Sequence, residues 1–281
     1  MKIILGDNQF FGVNHFDIDK GLATKSMFKS IDKVFSFIDK SMCEGMDGFM
    51  INSNALGFQL ISKYDFMSTS EIHYSIPYPH KYANIVNEQG MTSLLKYALV
   101  NSNLFNNFIH LIKLACTRNL KYLVPIGVDI ETPKKLKKGS TIYLQNIMTD
   151  LLIGLNRVDI IYEFIKHVLK AGYRPGIITL NPIALQKKLI ENSSSFVDLS
   201  SVIICFNINK EGFNVFPTLE HVEKFILENN LFKLMGMSIF ASGASNINES
   251  IEYIKKLNLH YVVFGTSKIE NVVKNLKKFK N

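Results

Sequence analysis

The stretch "IPYPHKYANIV" (76–86) sets Tyr78, His80, Lys81 and Tyr82 close together and stiffens them with Pro77 and Pro79. An imidazole beside an ammonium has the chemistry for general acid/base work, because each positive charge lowers the pKa of the other, which suits a base near neutrality. The same pair suits a clamp for a carboxylate or phosphate. The structural alternative is a rigid surface turn, with Lys81 lying along it and Tyr82 packed. A second proton carrier is His15 in "GVNHFD" (12–17), beside Asn14. Its unperturbed pKa is about 6.5, and its alternative role is to cap the loop before the first long helix.

Amides form the second chemical group. Asn8, Asn52, Gln145, Asn146, Asn181, Asn207 and Asn209 each follow or end a short apolar run. A side-chain amide offers donors and an acceptor, so a ring of them suits a ligand rich in hydroxyls and carbonyls, such as a sugar or sugar acid. Asn also tolerates the turns after strands and bonds local backbone, which is the structural alternative. Asp7 and Gln9 stand at the end of the first run without an assigned role. Lys210 closes "CFNINK" (205–210); desolvated it would form a Schiff base, and beside Glu211 it reads instead as a salt-bridged loop lysine.

Anion chemistry gathers near the end of the chain. In "GTSKIEN" (265–271), Gly265 permits close backbone approach, Thr266 and Ser267 donate, Lys268 brings charge, and a helix opening there favours an anion. Ser267 and Glu270 also fit a capping box. "FASGAS" (240–245) adds Ser242 and Gly243. The seven histidines show no His-Glu-x-x-His pair and the three cysteines no Cys-x-x-Cys, so no metal is expected.

These groups need a scaffold. Short apolar runs at 2–6, 48–54, 71–77, 141–146, 176–182, 201–209, 234–240 and 261–267 alternate with helix-period segments at 24–45, 56–63, 88–122 and 157–171, and with helices between the last four strands. Met27, Ile31, Val34, Phe35 and Ile38 share one face of the first helix. Eight doubly apolar strands alternating with helices predict an α/β fold, a (β/α)8 TIM barrel in one domain over 1–281. The stretch at about 85–140, between strands three and four, is longer than one helix needs and reads as an insertion, a lid or an extra helical layer. The working face of such a barrel lies at the carboxyl ends of the strands, where the chemical groups fall.

Composition bounds the function. Apolar residues make up 47% of 281, enough for a large core. The net charge of +8 suggests acidic partners or phosphorylated ligands, but the only dense basic runs are "KKLKK" (134–138) and "KKFK" (277–280), without interleaved aromatics. A small anionic substrate is expected, with no nucleic acid and no membrane as partner. Three widely spaced cysteines point to a reducing cytoplasm, and neither a signal peptide nor a spanning run is visible.

Several of these strand ends resemble the aldo/keto reductase superfamily of barrels. "YVVFGTSKIENVVKNLKKF" (261–279) is similar to that family's last strand and helix, where a Gly/Ser turn and a basic residue receive the cofactor's phosphate. "GMSIFASG" (236–243), "CFNIN" (205–209), "IITLN" (177–181) and "ILGDNQFFG" (4–12) resemble its seventh, sixth, fifth and first strands. The resemblance implies NADP as cofactor. It also implies a tetrad of Asp, Tyr, Lys and His, yet the corresponding places read Asn52, no Tyr in "NALGF" (54–58), "SIP" (75–77) and "LQN" (144–146). The pattern is also similar to a bacterial barrel subgroup with "GDNQFFGVNH"- and "PYPHKYAN"-type segments, lacking that tetrad.

Three functions are therefore expected. The first is a cytosolic isomerase, epimerase or lyase of carbohydrate metabolism, acting on a phosphorylated or polyhydroxylated metabolite by proton transfer. The second is an NADP(H)-dependent oxidoreductase with an altered site. The third is a non-catalytic barrel that binds a metabolite or a partner.

Overall fold

Short strands that are apolar on both faces must bury both, and a closed barrel wrapped in helices does so without leaving an edge. The computed structural model describes residues 1–12, 23–24, 26–78, 87–90, 93, 104–192 and 197–281. Strands β1 (Lys2–Leu5), β2 (Gly48–Asn52), β3 (Glu71–Ile76), β4 (Thr141–Leu144), β5 (Arg174–Ile178), β6 (Ile203–Asn207), β7 (Lys233–Met237) and β8 (Tyr261–Phe264) pair in parallel in chain order. Strand β8 returns to β1, with Leu5 opposite Phe264, and closes the (β/α)8 barrel. Among the described residues no helix is long and apolar enough to cross a membrane.

The strands are shorter at their carboxyl ends than the apolar runs predict, but the ladder outlasts them by one bond. Gly6 N–H donates to Phe264 O at 2.8 Å, Ser53 to Ser75 at 2.9 Å, Gln145 to Ile76 at 2.9 Å, Thr179 to Cys205 at 3.0 Å and Ile208 to Met237 at 3.0 Å. The residues at the mouth are thus held on rigid backbone. The first long helix runs from Ile31 to Cys43 rather than from 24, because Ser30 is extended and its side chain caps Lys33 N. Val34 and Ile38 are buried on its inner face, and Met27, outside it, is exposed. Between β3 and β4 the described residues include helices Leu104–Thr117 and Leu123–Glu131, the latter packed on helix Val158–Lys170.

Alternation along the strands divides the core. Leu5, Phe49, Ile51, Ile72, Tyr74, Ile142 and Ile177 pack outward beneath the helices. Ile4, Tyr143, Ile178, Ile203, Cys205, Met235, Tyr261 and Val263 fill the barrel's interior. Tyr143 is fully buried there, and Gly176 on the neighbouring strand makes the space: a Cβ at that position would lie 2.3 Å from the Tyr143 ring. Gly176→Ala is therefore expected to destabilise the barrel by about 1–2 kcal/mol through overpacking. A chemical denaturation midpoint equal to that of the parent protein would contradict this packing.

The floor, at the amino ends of the strands, is polar. Glu71 accepts from Lys2 Nζ and, at 3.0 Å, from Arg174 Nη2. His73, fully buried, meets Tyr143 Oη through Nδ1 at 2.9 Å, and its Nε2 lies 3.6 Å from Glu71. Burial holds the His73 pKa below its ordinary value, against the pull of Glu71. His73, with Lys2 and Arg174, holds the Glu71 carboxyl well below the usual carboxylate range. Among the described residues, no three His, Cys, Asp or Glu side chains are grouped as a metal ion would require.

Candidate functional site

At the mouth, the exits of β1, β2 and β4 are joined side chain to side chain. Asp7 follows β1 and is buried; its Oδ2 accepts from Asn52 N at 2.8 Å and from Asn52 Nδ2 at 2.9 Å. Asn52 Oδ1 in turn accepts from Gln145 Nε2. The line Asp7–Asn52–Gln145 thus crosses the top of the sheet and passes over β3. There the inward residue is Ser75, which lies opposite Asn52 in the strand register. Ser75 is small enough to leave that lane open. Gly57, in helix Ala55–Lys63 after β2, packs on the same corner: a Cβ there would lie 2.0 Å from Asn52 O. Asn54 caps that helix by accepting from Gly57 N at 2.8 Å.

Burial and hydrogen bonding pull Asp7 in opposite directions. Loss of solvation raises its pKa, and the two N–H donors of Asn52 lower it; burial prevails and the carboxyl is pushed up to about 6. Both donors sit on Oδ2, so a proton taken up by Asp7 resides on Oδ1. A carboxyl poised between its two forms close to neutral pH is the property a general acid/base needs. Asp7 is the residue that the sequence named at a strand end without giving it a role. Its type alone does not reveal it; burial in a closed barrel does.

The other amides are engaged more locally. Asn207 donates through Nδ2 to Asn214 O at 2.9 Å and accepts from Ser238 Oγ at 2.7 Å. Asn209 clasps its own loop through Phe213 N and O. Asn181 caps helix Pro182–Glu191 by accepting from Ala184 N at 3.0 Å. Asn8 opens the short helix Asn8–Phe11 and is exposed; Asn146 opens helix Asn146–Gly154 and is half-buried. Of the expected ring, then, Asn52 and Gln145 form the connected part. Lys210 is exposed and bonds Glu249 rather than Glu211, which raises its pKa, as befits a loop ion pair. His15, His80 and Lys81 lie outside the described residues.

The exits of β7 and β8 carry the anion candidates. Ser238, Ala241 and Ser242 all have positive φ, 58°, 44° and 56°, and Gly243 continues the left-handed run at 94°. Three such non-glycine residues within one short turn store backbone strain. The turn uses Gly243 N–H internally, donating to Phe240 O at 2.8 Å. After β8, Thr266 Oγ1 accepts from Lys268 N at 3.4 Å and Asn271 Nδ2 at 3.3 Å. Lys268 stands at the N-cap of helix Ile269–Lys280 with no side-chain capping bond, so the capping box of Ser267 and Glu270 does not form. Gly265 is exposed, and a Cβ on it would lie 2.5 Å from Gln9 Oε1. Gln9 is buried and donates through Nε2 to Gly6 O at 2.6 Å.

No family model matches this chain, and no curated protein sequence does. A solved structure named "Putative aldo-keto reductase from Pseudomona aeruginosa" is similar to it, with a TM-score of 0.52 over 99% of this chain and 88% of that one, at 11% identity. The likeness is one of fold. It agrees with the closed eight-stranded barrel, and at that identity it carries no residue roles.

Proposed function

We propose that the protein is a barrel enzyme that moves a proton on a small metabolite bearing hydroxyl and carbonyl groups, in a reaction of the isomerase, epimerase or lyase type. The observation that supports it is Asp7, a buried carboxyl at the barrel's mouth whose pKa stands near 6 and whose Oδ2 is tied to Asn52. In this reading, Asp7 Oδ1 takes a proton from the carbon beside the substrate's carbonyl and returns it to the neighbouring carbon, or to the opposite face. The turn at Gly265–Lys268, leading into an uncapped helix N-terminus, would receive a phosphate or carboxylate carried by the substrate. His80 and Lys81, on the segment after β3, would supply positive charge against the enediolate.

The test is proton exchange. The protein would be incubated in D2O with a panel of sugar, sugar-acid and sugar-phosphate compounds and followed by NMR. At least one compound is expected to gain deuterium beside its carbonyl with the parent protein and not with Asp7→Asn. Absence of exchange across the panel, with saturable binding of a panel member, would favour the non-catalytic barrel.

The fold likeness favours a second reading, an NADP(H)-dependent oxidoreductase with an altered site. Titration with NADPH separates the two. Micromolar binding together with carbonyl-dependent oxidation of the nucleotide would support the oxidoreductase and displace proton transfer as the primary chemistry.

A further inference from the structure

The Asn52 amide has a donor end and an acceptor end, and Asp7 alone does not decide which end it meets. An ionised Asp7 requires Nδ2. A protonated Asp7 can itself donate, and then accepts Oδ1 as a partner. Gln145 restricts that freedom, because Asn52 can turn over without a clash only if the Gln145 amide turns with it. Its Nε2 donates to Asn52 Oδ1, so turning the Asn52 amide over would set donor against donor at Gln145 and acceptor against acceptor at an ionised Asp7.

We propose that Gln145 is a positioning residue that locks the donor end of Asn52 onto Asp7. The inference rests on Asp7 being the proton carrier of the preceding section. Gln145 works through Asn52.

The local structure frees Gln145 for this task. It occupies the N-cap position of helix Asn146–Gly154, yet its side chain makes no capping bond. Its backbone is fixed instead, with N–H donating to Ile76 O and with its carbonyl accepting from Thr149 N at 2.9 Å and Thr149 Oγ1 at 3.0 Å. To reach Asn52 the side chain must cross β3, two strand spacings of about 4.8 Å each. Ser75, 1% exposed, is the inward residue on that path, and its hydroxyl makes no hydrogen bond among the described residues. A residue with a longer side chain there would occupy the space the Gln145–Asn52 bond uses. Among the described residues, the groups that shift Asp7 are uncharged: burial first, then the two N–H groups of Asn52 and the backbone of Asp7 itself. After burial and the Asn52 backbone N–H, the orientation of the Asn52 amide is the next influence on this carboxyl.

The experiment reads the Asp7 carboxyl directly, by 13C NMR titration of the full-length protein labelled at aspartate, with no substrate present. Gln145→Met removes the donor without adding charge. The Asp7 midpoint is expected to rise by about one unit, because the freed amide presents its donor to Asp7 only part of the time. Gln145→Leu gives the same readout should the Met variant fail to fold, and Asn52→Ala sets the full effect of losing the donor. Midpoints in the Gln145 variants within about 0.2 units of the parent would overturn the proposal. A parent midpoint near 6 with unmoved Gln145 variants refutes the positioning role alone. An ordinary parent midpoint refutes the reading of Asp7 on which it rests.

Discussion

Asp7→Asn is expected to lower the proposed turnover by about a hundredfold or more and, above pH 6, to leave the barrel more stable than the parent. The first effect follows because an amide cannot carry a proton to and from carbon. The second follows from linkage. The folded-state pKa of Asp7, about 6, stands above its unfolded value of about 3.9, so the folded protein holds this proton more tightly. Stability from Asp7 is fully present below about pH 4 and is lost as the pH rises through 6. At pH 8 the group costs the fold about 3 kcal/mol, to order of magnitude. Asn keeps an oxygen to accept from Asn52 N and Nδ2 and removes the charge. Urea unfolding at pH 5 and pH 8 checks this: the difference between variant and parent at pH 5 should be about half that at pH 8. A variant as active as the parent, or less stable at pH 8, would remove Asp7 from the site.

Glu71→Gln is expected to act on stability alone, with a loss of about 1–2 kcal/mol at pH 7, since both cation partners are partly exposed. Glu71 is the carboxylate that Lys2 and Arg174 share on the barrel's floor. Removing one member of a fully buried ion pair typically costs about 3–5 kcal/mol, and the solvent exposure of Lys2 and Arg174 brings this half-buried network below that range. The sign with pH is opposite to that of Asp7. The folded pKa of Glu71 is depressed, so its contribution is present above the unfolded value of about 4.3 and lost as the pH falls. His73 adds to the same slope: held neutral by burial, it makes the folded state bind fewer protons than the unfolded chain below about pH 6.5. The Asp7 contribution is common to both proteins, so thermal melts from pH 7 down to about pH 3 should show the parent's margin over Glu71→Gln shrinking as the pH falls through about 4.3. Parallel curves for the two proteins would mean that the floor network does not respond to acid.

The barrel was legible in the sequence because doubly buried strands and amphipathic helices write their periods into the chain, and all eight strands lie where the apolar runs fall. Their carboxyl ends were not, since nothing local marks where pairing ceases: 176–182 reads as strand, but the strand ends at Ile178. The site was legible by place and less so by role. Asn52 and Gln145 could be named from strand ends, but Asn181 and Asn209 carry the same signal and serve a helix cap and a loop. Asp7 was equally visible as a letter. What distinguishes it is desolvation, a property of the closed fold. The Gln145–Asn52 bond joins residues 93 apart in sequence, and no local pattern marks it. His73 lies in an apolar run where the direction of its side chain, into the barrel, depends on register.

The most direct measurement is the 13C carboxyl titration of Asp7 in the parent protein, assigned by the signal that Asp7→Asn removes. A midpoint near pH 6 is predicted, placing an acid/base of near-neutral strength at the barrel's mouth. A midpoint near 3.9, the ordinary value for an aspartate in water, would contradict it.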